Sequence, residues 1–456
     1  MTRQDATAPS IQAAPNTFRG ALRHIGPGII ISANIVGSGE LIVTTQLGAS
    51  AGFILLWFIL FSCFIKVFVQ IEIGRYTISE GRTSLDALNR MPGPRLIVSW
   101  VLWLWLLMFL GLFFQMSGMI GSLASLVSPD GPAHVLTAIL AAGSCAVLLA
   151  VGRYRIVERL STVMVALFTI GTVAALVALQ WTVYRVTGAD LAEGLALGTP
   201  ASFTMAFAAF GVTGIGAGEL LYYPYWCLEK GYARHVGPRD DTPQWQARAR
   251  GWIRVLQIDA WVSMAIYTIG TVAFYLLGAS VLHARGLKVS NTELVPALSQ
   301  MYRDAFGPIG LYVFLLGAFM VLYSTVFVST ASNARLLSDA AGLFRILRFR
   351  DAEHRARVTR AACVAIPVIV LVIALVFRAP VTLVLIGALG QALMLPFLGL
   401  AAVWFRHRVT HPVLRSGVPG TLLLWGAFAS FCLLGAYQAW TELARVVSTS
   451  SGGPTG

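Results

Sequence analysis

Val36-Gly37-Ser38-Gly39-Glu40-Leu41-Ile42 and Ile215-Gly216-Ala217-Gly218-Glu219-Leu220-Leu221 are one seven-residue phrase written twice in the same chain. Each copy sits inside a long apolar run. A glycine lowers helix stability by roughly 1 kcal/mol relative to alanine, and a carboxylate in hydrocarbon costs about 2.5 to 3.5 kcal/mol or more. A membrane helix that carries both, twice, at matched positions, carries them for a reason.

The surrounding chain is built for a bilayer. Of its 456 residues 57% are hydrophobic and 12% charged, and apolar runs of about 20 residues, long enough to cross a membrane as helix, recur from end to end. The runs are continuous, not alternating in a period of two, which disfavours a transmembrane β-barrel. The spacing predicts eleven spans, at 25–50, 53–74, 96–125, 134–151, 160–183, 201–228, 253–279, 307–334, 361–377, 381–405 and 419–443. Residues 1–24 are polar, lack a hydrophobic core and read as a disordered cytoplasmic tail; 444–456, rich in Ser and Gly, reads the same way. Cys63, Cys145, Cys227, Cys363 and Cys432 lie in or beside apolar segments with no paired spacing and read as small hydrophobes.

The net charge of +13 reports orientation, not nucleic acid. With the amino terminus inside, the inner segments hold 26 of the 33 Lys and Arg and the outer segments six, the last being Lys66 within the second span. The excess of positive charge on inner loops places the amino terminus in the cytoplasm, the carboxyl terminus outside, and the chain in the cytoplasmic (inner) membrane.

The two phrases lie in spans one and six, five spans apart. An odd offset reverses the second helix, so the chain reads as an all-α polytopic protein with a first inverted repeat over 25–183, a second over 201–405, and an appended eleventh helix at 419–443. In transporters of this layout the first helix of each repeat is broken near the midplane and its freed backbone groups face the substrate. Such groups cannot be left to lipid, and glycine lets a ligand approach the main chain.

Glu40 and Glu219 occupy the same place in the two phrases. Each could cap a free helix amino terminus; as a pair they read as facing one cavity and binding a cation or a proton, since carboxylate and carbonyl oxygens suit hard divalent ions. Gly37, Ser38, Gly216 and Gly218 would supply backbone oxygens and hinges, and Tyr223, in a run of aromatics after the second phrase, would border the cavity. Lys66 and Asp259, at similar depths in spans two and seven, read as an ion pair across the bundle, structural or in coupling. Gln115, Gln257, Asn333 and Gln391 read as polar links between helices. No nucleophile arrangement, nucleotide loop or zinc spacing is present, so an enzyme is not expected.

The chain resembles the natural-resistance-associated macrophage protein (NRAMP) family of divalent metal transporters. The resemblance rests on Gly26-Pro27-Gly28 opening span one, Gln70 and Arg75 ending span two, Ser324-Thr325 in span eight and Leu395-Pro396-Phe397 in span ten. It implies the leucine-transporter-type fold with a metal site between spans one and six. The family's D-P-G-N falls on Gly37, Ser38, Gly39 and Glu40, its M-P-H near Gly218, Glu219 and Leu220, its acidic positions of span three near Gln115 and Gly118, and its span-six histidine near Tyr225. The branch implied is a divergent one. The expected function is secondary transport of a hard divalent cation of the Mg²⁺ or Mn²⁺ class by alternating access, with Glu40 and Glu219 as metal ligands. No cofactor is expected beyond that cation as substrate. The expected partners are the cation, protons and the bilayer, with no nucleic acid, in a monomer or weak oligomer. The alternatives are a small organic solute, such as an amino acid or amine, or a non-transporting sensor.

Overall fold

The computed structural model describes residues 11–151, 154–200, 202–286 and 294–451. Among them, eleven helices are long and apolar enough to cross a membrane: α1 Pro27–Ala51, α2 Leu56–Glu80, α3 Trp100–Ser125, α4 Gly131–Ala150, α5 Val157–Leu179, α6 Phe203–Lys230, α7 Pro243–His283, α8 Gly307–Leu343, α9 Ala352–Phe377, α10 Pro380–Val409 and α11 Val418–Ala444. The packing obeys a five-span symmetry. Helix α2 lies along α7 and α4 along α9, pairs that the offset maps onto themselves, while α3–α10 and α5–α8 map onto each other. Helices α1 and α6 run through the middle, with the predicted spanning windows 94% and 89% buried, against 17% for the peripheral α11.

Helix α7 begins ten residues before its apolar run. Thr242 accepts a hydrogen bond from the Trp245 amide and Pro243 occupies the first turn, so the helix starts among charged residues. Both expected tails are corrected in part. Residues 11–24 are ordered: the Gln12 amide donates to His235 O, Trp252 Nε1 donates to Gln12 O, Thr17 caps a helix over Phe18–Leu22, and Tyr232 donates to His24 O. At the other end the last helix runs on to Ser451, because no glycine or proline stops it before Gly452 and Pro454. Residues 1–10 and 452–456 lie outside the described residues.

The two phrases fold differently. In α6 the helix stops: α6a (Phe203–Val212) ends at Thr213 with extended backbone, Gly214 has φ +63°, and α6b (Ala217–Lys230) begins after Gly216. In α1 the expected break is replaced by a continuous π-helical segment, Val36–Thr44. The wider turn satisfies its own carbonyls, since the Thr44 and Thr45 hydroxyls donate to Gly39 O and Glu40 O at 3.0 and 3.2 Å. Its glycines serve packing. A Cβ on Gly37 would collide with the Thr325 side chain of α8, and one on Gly39 would meet Val212 O of α6a at 2.8 Å.

Candidate functional site

A small cavity lies where α1, α3, α6b, α8 and α10 meet. Helix α8 contributes Thr325, Ser329 and Asn333, spaced four apart and so stacked on one face. Helix α3 contributes Gln115, Met116 and Met119, and α10 contributes Gln391. From the central helices come Asn34, three residues before Gly37, and Glu219 and Tyr222 in the first turns of α6b.

The lining groups are joined in three chains. Ser329 donates to Asn34 Oδ1 at 2.6 Å, and Asn34 Nδ2 donates to Glu219 Oε1 at 2.5 Å. Tyr222 donates to Asn333 Oδ1 at 2.8 Å, and Asn333 Nδ2 to the Met116 sulfur at 3.3 Å. The Gly218 amide donates to Gln391 Oε1 at 2.8 Å, and Gln391 Nε2 to Gln115 Oε1 at 2.9 Å. Glu219 is buried, and its Oε2 has no hydrogen-bond partner among the described residues. An anionic oxygen at the amino-terminal end of a half-helix is favoured by the helix dipole, yet a buried charge without a partner is costly. The cavity measures about 10 Å³, room for one water or one bare ion.

Glu40 is elsewhere. It is fully buried, with Oε2 accepting from the Thr44 hydroxyl at 2.8 Å and Oε1 from the Gly214 amide at 3.3 Å, and it does not line the cavity. The expectation of two glutamates around one cavity is therefore corrected: the π-helical segment directs Glu40 to the break in α6, and only Glu219 reaches the cavity. Gly37 and Gly216 likewise lie outside the cavity lining, Gly218 touches it through its amide, and the Ser38 side chain lies outside the described residues. Tyr223 points the other way, donating to Asp259 Oδ2 at 2.9 Å; its neighbour Tyr222 is the cavity tyrosine. Both positions lie near Glu219 in helical phase, so the sequence does not separate them.

The expected Lys66–Asp259 ion pair is also corrected, because each charge has a helix end to serve. Asp259 accepts from the Gly26 and Gly28 amides at 2.9 and 2.7 Å, capping α1 from α7. Lys66 donates to Phe210 O and to Thr213 O at the carboxyl end of α6a. Gln115 and Gln391 do link helices, and with Asn333 they also form the cavity wall. Asn34 and Ser329 were missed, though a lone asparagine within an apolar run, and a serine four residues before Asn333, were the available signals.

At the amino-terminal end of the bundle a vestibule of about 470 Å³ opens between α4, α5, α6b, α8 and α9. Asp339 of α8 bars it, accepting from Tyr225 and Thr83 at 2.6 Å each and pairing with Arg355 at 2.8 Å. Beside it Arg335 grips Glu229 through two bonds of 2.5 and 2.9 Å. Tyr225 of the vestibule and Tyr222 of the cavity are one helical turn apart on α6b. In the opposite direction the space between α3 and the start of α10 is only about 20 Å³.

A family model described as natural resistance-associated macrophage protein-like matches residues 28–441. Among solved structures, the Eremococcus coleocola manganese transporter in complex with an aromatic bis-isothiourea compound superposes with a TM-score of 0.66 at 13% identity, covering 98% of this chain and 92% of that one. Mhp1, a nucleobase-cation-symport-1 family transporter, gives 0.57 at 14% over 96% of each chain, and MhsT in complex with L-phenylalanine gives 0.52 at 13%, covering 93% and 99%. An uncharacterised protein of Pasteurella multocida is 26% identical over 174 residues, which is 36% of this chain and 38% of that protein. These likenesses agree with an all-helical fold of the leucine-transporter type.

Proposed function

The chain belongs to the natural resistance-associated macrophage protein-like family, and on that premise we propose that it is a secondary transporter of a hard divalent cation, of the Mg²⁺ or Mn²⁺ class. The observation that carries the reading is Glu219, a buried carboxylate that lines a small polar cavity and whose Oε2 has no hydrogen-bond partner among the described residues. Around it stand Asn34, Gln115, Gln391, Tyr222, Ser329 and Asn333, whose neutral oxygens are hard donors. Mg²⁺ and Mn²⁺ suit carboxylate, carbonyl and water oxygens, and Mg²⁺ is commonly bound through one or two carboxylates while keeping part of its water shell. A single acid also fits the absence, among the described residues, of any cluster of three or more His, Cys, Asp or Glu. The ligand set proposed is thus Glu219 with amide and hydroxyl oxygens, while Glu40, Gly37 and Gly216 support the break in α6 and the packing of α1.

Met116 and Met119 favour a second reading, a softer transition metal, because thioether sulfur selects such ions. The Met116 sulfur accepts from Asn333 just as the cavity's amide oxygens accept from their own donors, so the comparison of metals below decides between the two. The basic inner loops support an amino terminus in the cytoplasm, with the cation passing inward toward the vestibule. Titration calorimetry with Mg²⁺, Mn²⁺, Cd²⁺ and amino acids side by side tests the reading. Heat from Mg²⁺ or Mn²⁺ that is lost in Glu219→Gln supports it; heat from an amino acid alone would replace it.

A further inference from the structure

The break in α6 leaves the last carbonyls of α6a at membrane depth, where a half-helix carboxyl end carries partial negative charge. In broken-helix transporters such ends are seats for a coupling cation. Here the seat is filled from within the chain. The Lys66 ammonium donates to Phe210 O and, at 2.7 Å, to Thr213 O, and lies 4.6 Å from the centre of the Phe210 ring. The side chain is wholly buried. Ser62, one helical turn before Lys66 on α2, shares a 3.0 Å hydrogen bond with the Thr213 hydroxyl, and Lys66 feels the charge of Glu40, which the Gly214 amide and Thr44 hold beside the same break. The two carbonyls hold the ammonium directly, and the hydroxyl pair and the carboxylate at the same break are further oxygens of the kind that replace the water shell of a small monovalent cation.

We propose that this is an alkali-cation site permanently occupied by the tethered ammonium of Lys66. The fixed charge does the work that Na⁺ or K⁺ would do at the α6a end, so the protein needs neither ion to hold α1, α2 and α6 together. Removing the ammonium opens a site for a small alkali cation. Lys66 is outside the central cavity, and the proposal does not depend on what that cavity carries.

The full-length wild type, Lys66→Ser and Lys66→Met are purified in detergent, and their melting is followed in NaCl, KCl, LiCl and choline chloride at one ionic strength. Lys66→Ser gains about 3 °C or more, saturably, from one alkali cation over choline. The wild type shows no such preference, and neither does Lys66→Met, whose side chain refills the seat without charge. Should Lys66→Ser be recovered only in an alkali salt, that recovery is the same result. The proposal is overturned if Lys66→Ser melts equally in all four salts, if it is recovered in none of them, or if the wild type itself is stabilised by one alkali cation.

Discussion

Asn34 of α1 donates to Glu219 of α6b at 2.5 Å, joining the first helices of the two repeats at the central cavity. Asn34 also accepts from Ser329 of α8, so the amide that holds the carboxylate is itself held in place. Asn34→Ala leaves Glu219 in the membrane interior without its amide partner. Losing a hydrogen bond to a charged group costs about 1.5 to 3 kcal/mol, so divalent-cation affinity is expected to fall about 10- to 100-fold by calorimetry. An unchanged dissociation constant would remove Asn34 from the site.

Glu40 and Glu219 occupy matched places in the sequence and unmatched places in the fold. Glu40→Gln is expected to lower stability by on the order of 3 kcal/mol, since Lys66 loses its nearby negative charge, while changing divalent affinity less than about threefold. Glu219→Gln is expected to do the reverse. Thermal melts and calorimetry on the two variants separate the roles, and equal loss of cation binding in both would restore a two-glutamate site.

Asp259 caps α1 from α7. Asp259→Ala strips the Gly26 and Gly28 amides of their acceptor and Tyr223 of a partner, so the first turn of α1 is expected to open. Hydrogen exchange at residues 26–30 should speed up about tenfold or more, one charge-assisted bond being worth roughly 1.5 to 3 kcal/mol. Tyr223→Phe, which keeps both amide bonds, should show a much smaller change. Identical exchange in Asp259→Ala and wild type would contradict the capping role.

Asp339 holds Tyr225, Thr83 and Arg355, three residues of the vestibule wall, together. Asp339→Ala releases all three and should shift the population toward a state open to the vestibule. With a reporter thiol at Ser329→Cys, labelling by a charged reagent is expected to rise about tenfold, equivalent to roughly 1.4 kcal/mol. A labelling rate that does not move would place the barrier elsewhere.

Membrane class, span number and the five-plus-five layout were legible because apolar run length and loop charge are properties of single segments. Where the side chains of the repeated phrase point was not, since that depends on how each segment winds. Gly37 and Gly39 look like breakers in isolation, but Thr325 and Val212 pack into the space they leave and α1 stays helical as a π-segment. That winding sends Glu40 to the break and leaves Glu219 alone at the cavity. Lys66 and Asp259 were similar in depth, yet each was drawn to unsatisfied backbone at a different helix end, a demand invisible without the neighbours of α1 and α6a. Glu219 was identified from the sequence, and the α8 stripe of Thr325, Ser329 and Asn333 was within reach of helical periodicity.

The most direct measurement is divalent-cation uptake into proteoliposomes, with wild type and Glu219→Gln reconstituted at equal density. The account predicts saturable Mg²⁺ or Mn²⁺ uptake by the wild type and a fall of about 100-fold or more in Glu219→Gln, the consequence of removing the only carboxylate that lines the cavity among the described residues. Undiminished uptake by Glu219→Gln, or no divalent flux through a correctly folded wild type, would contradict it.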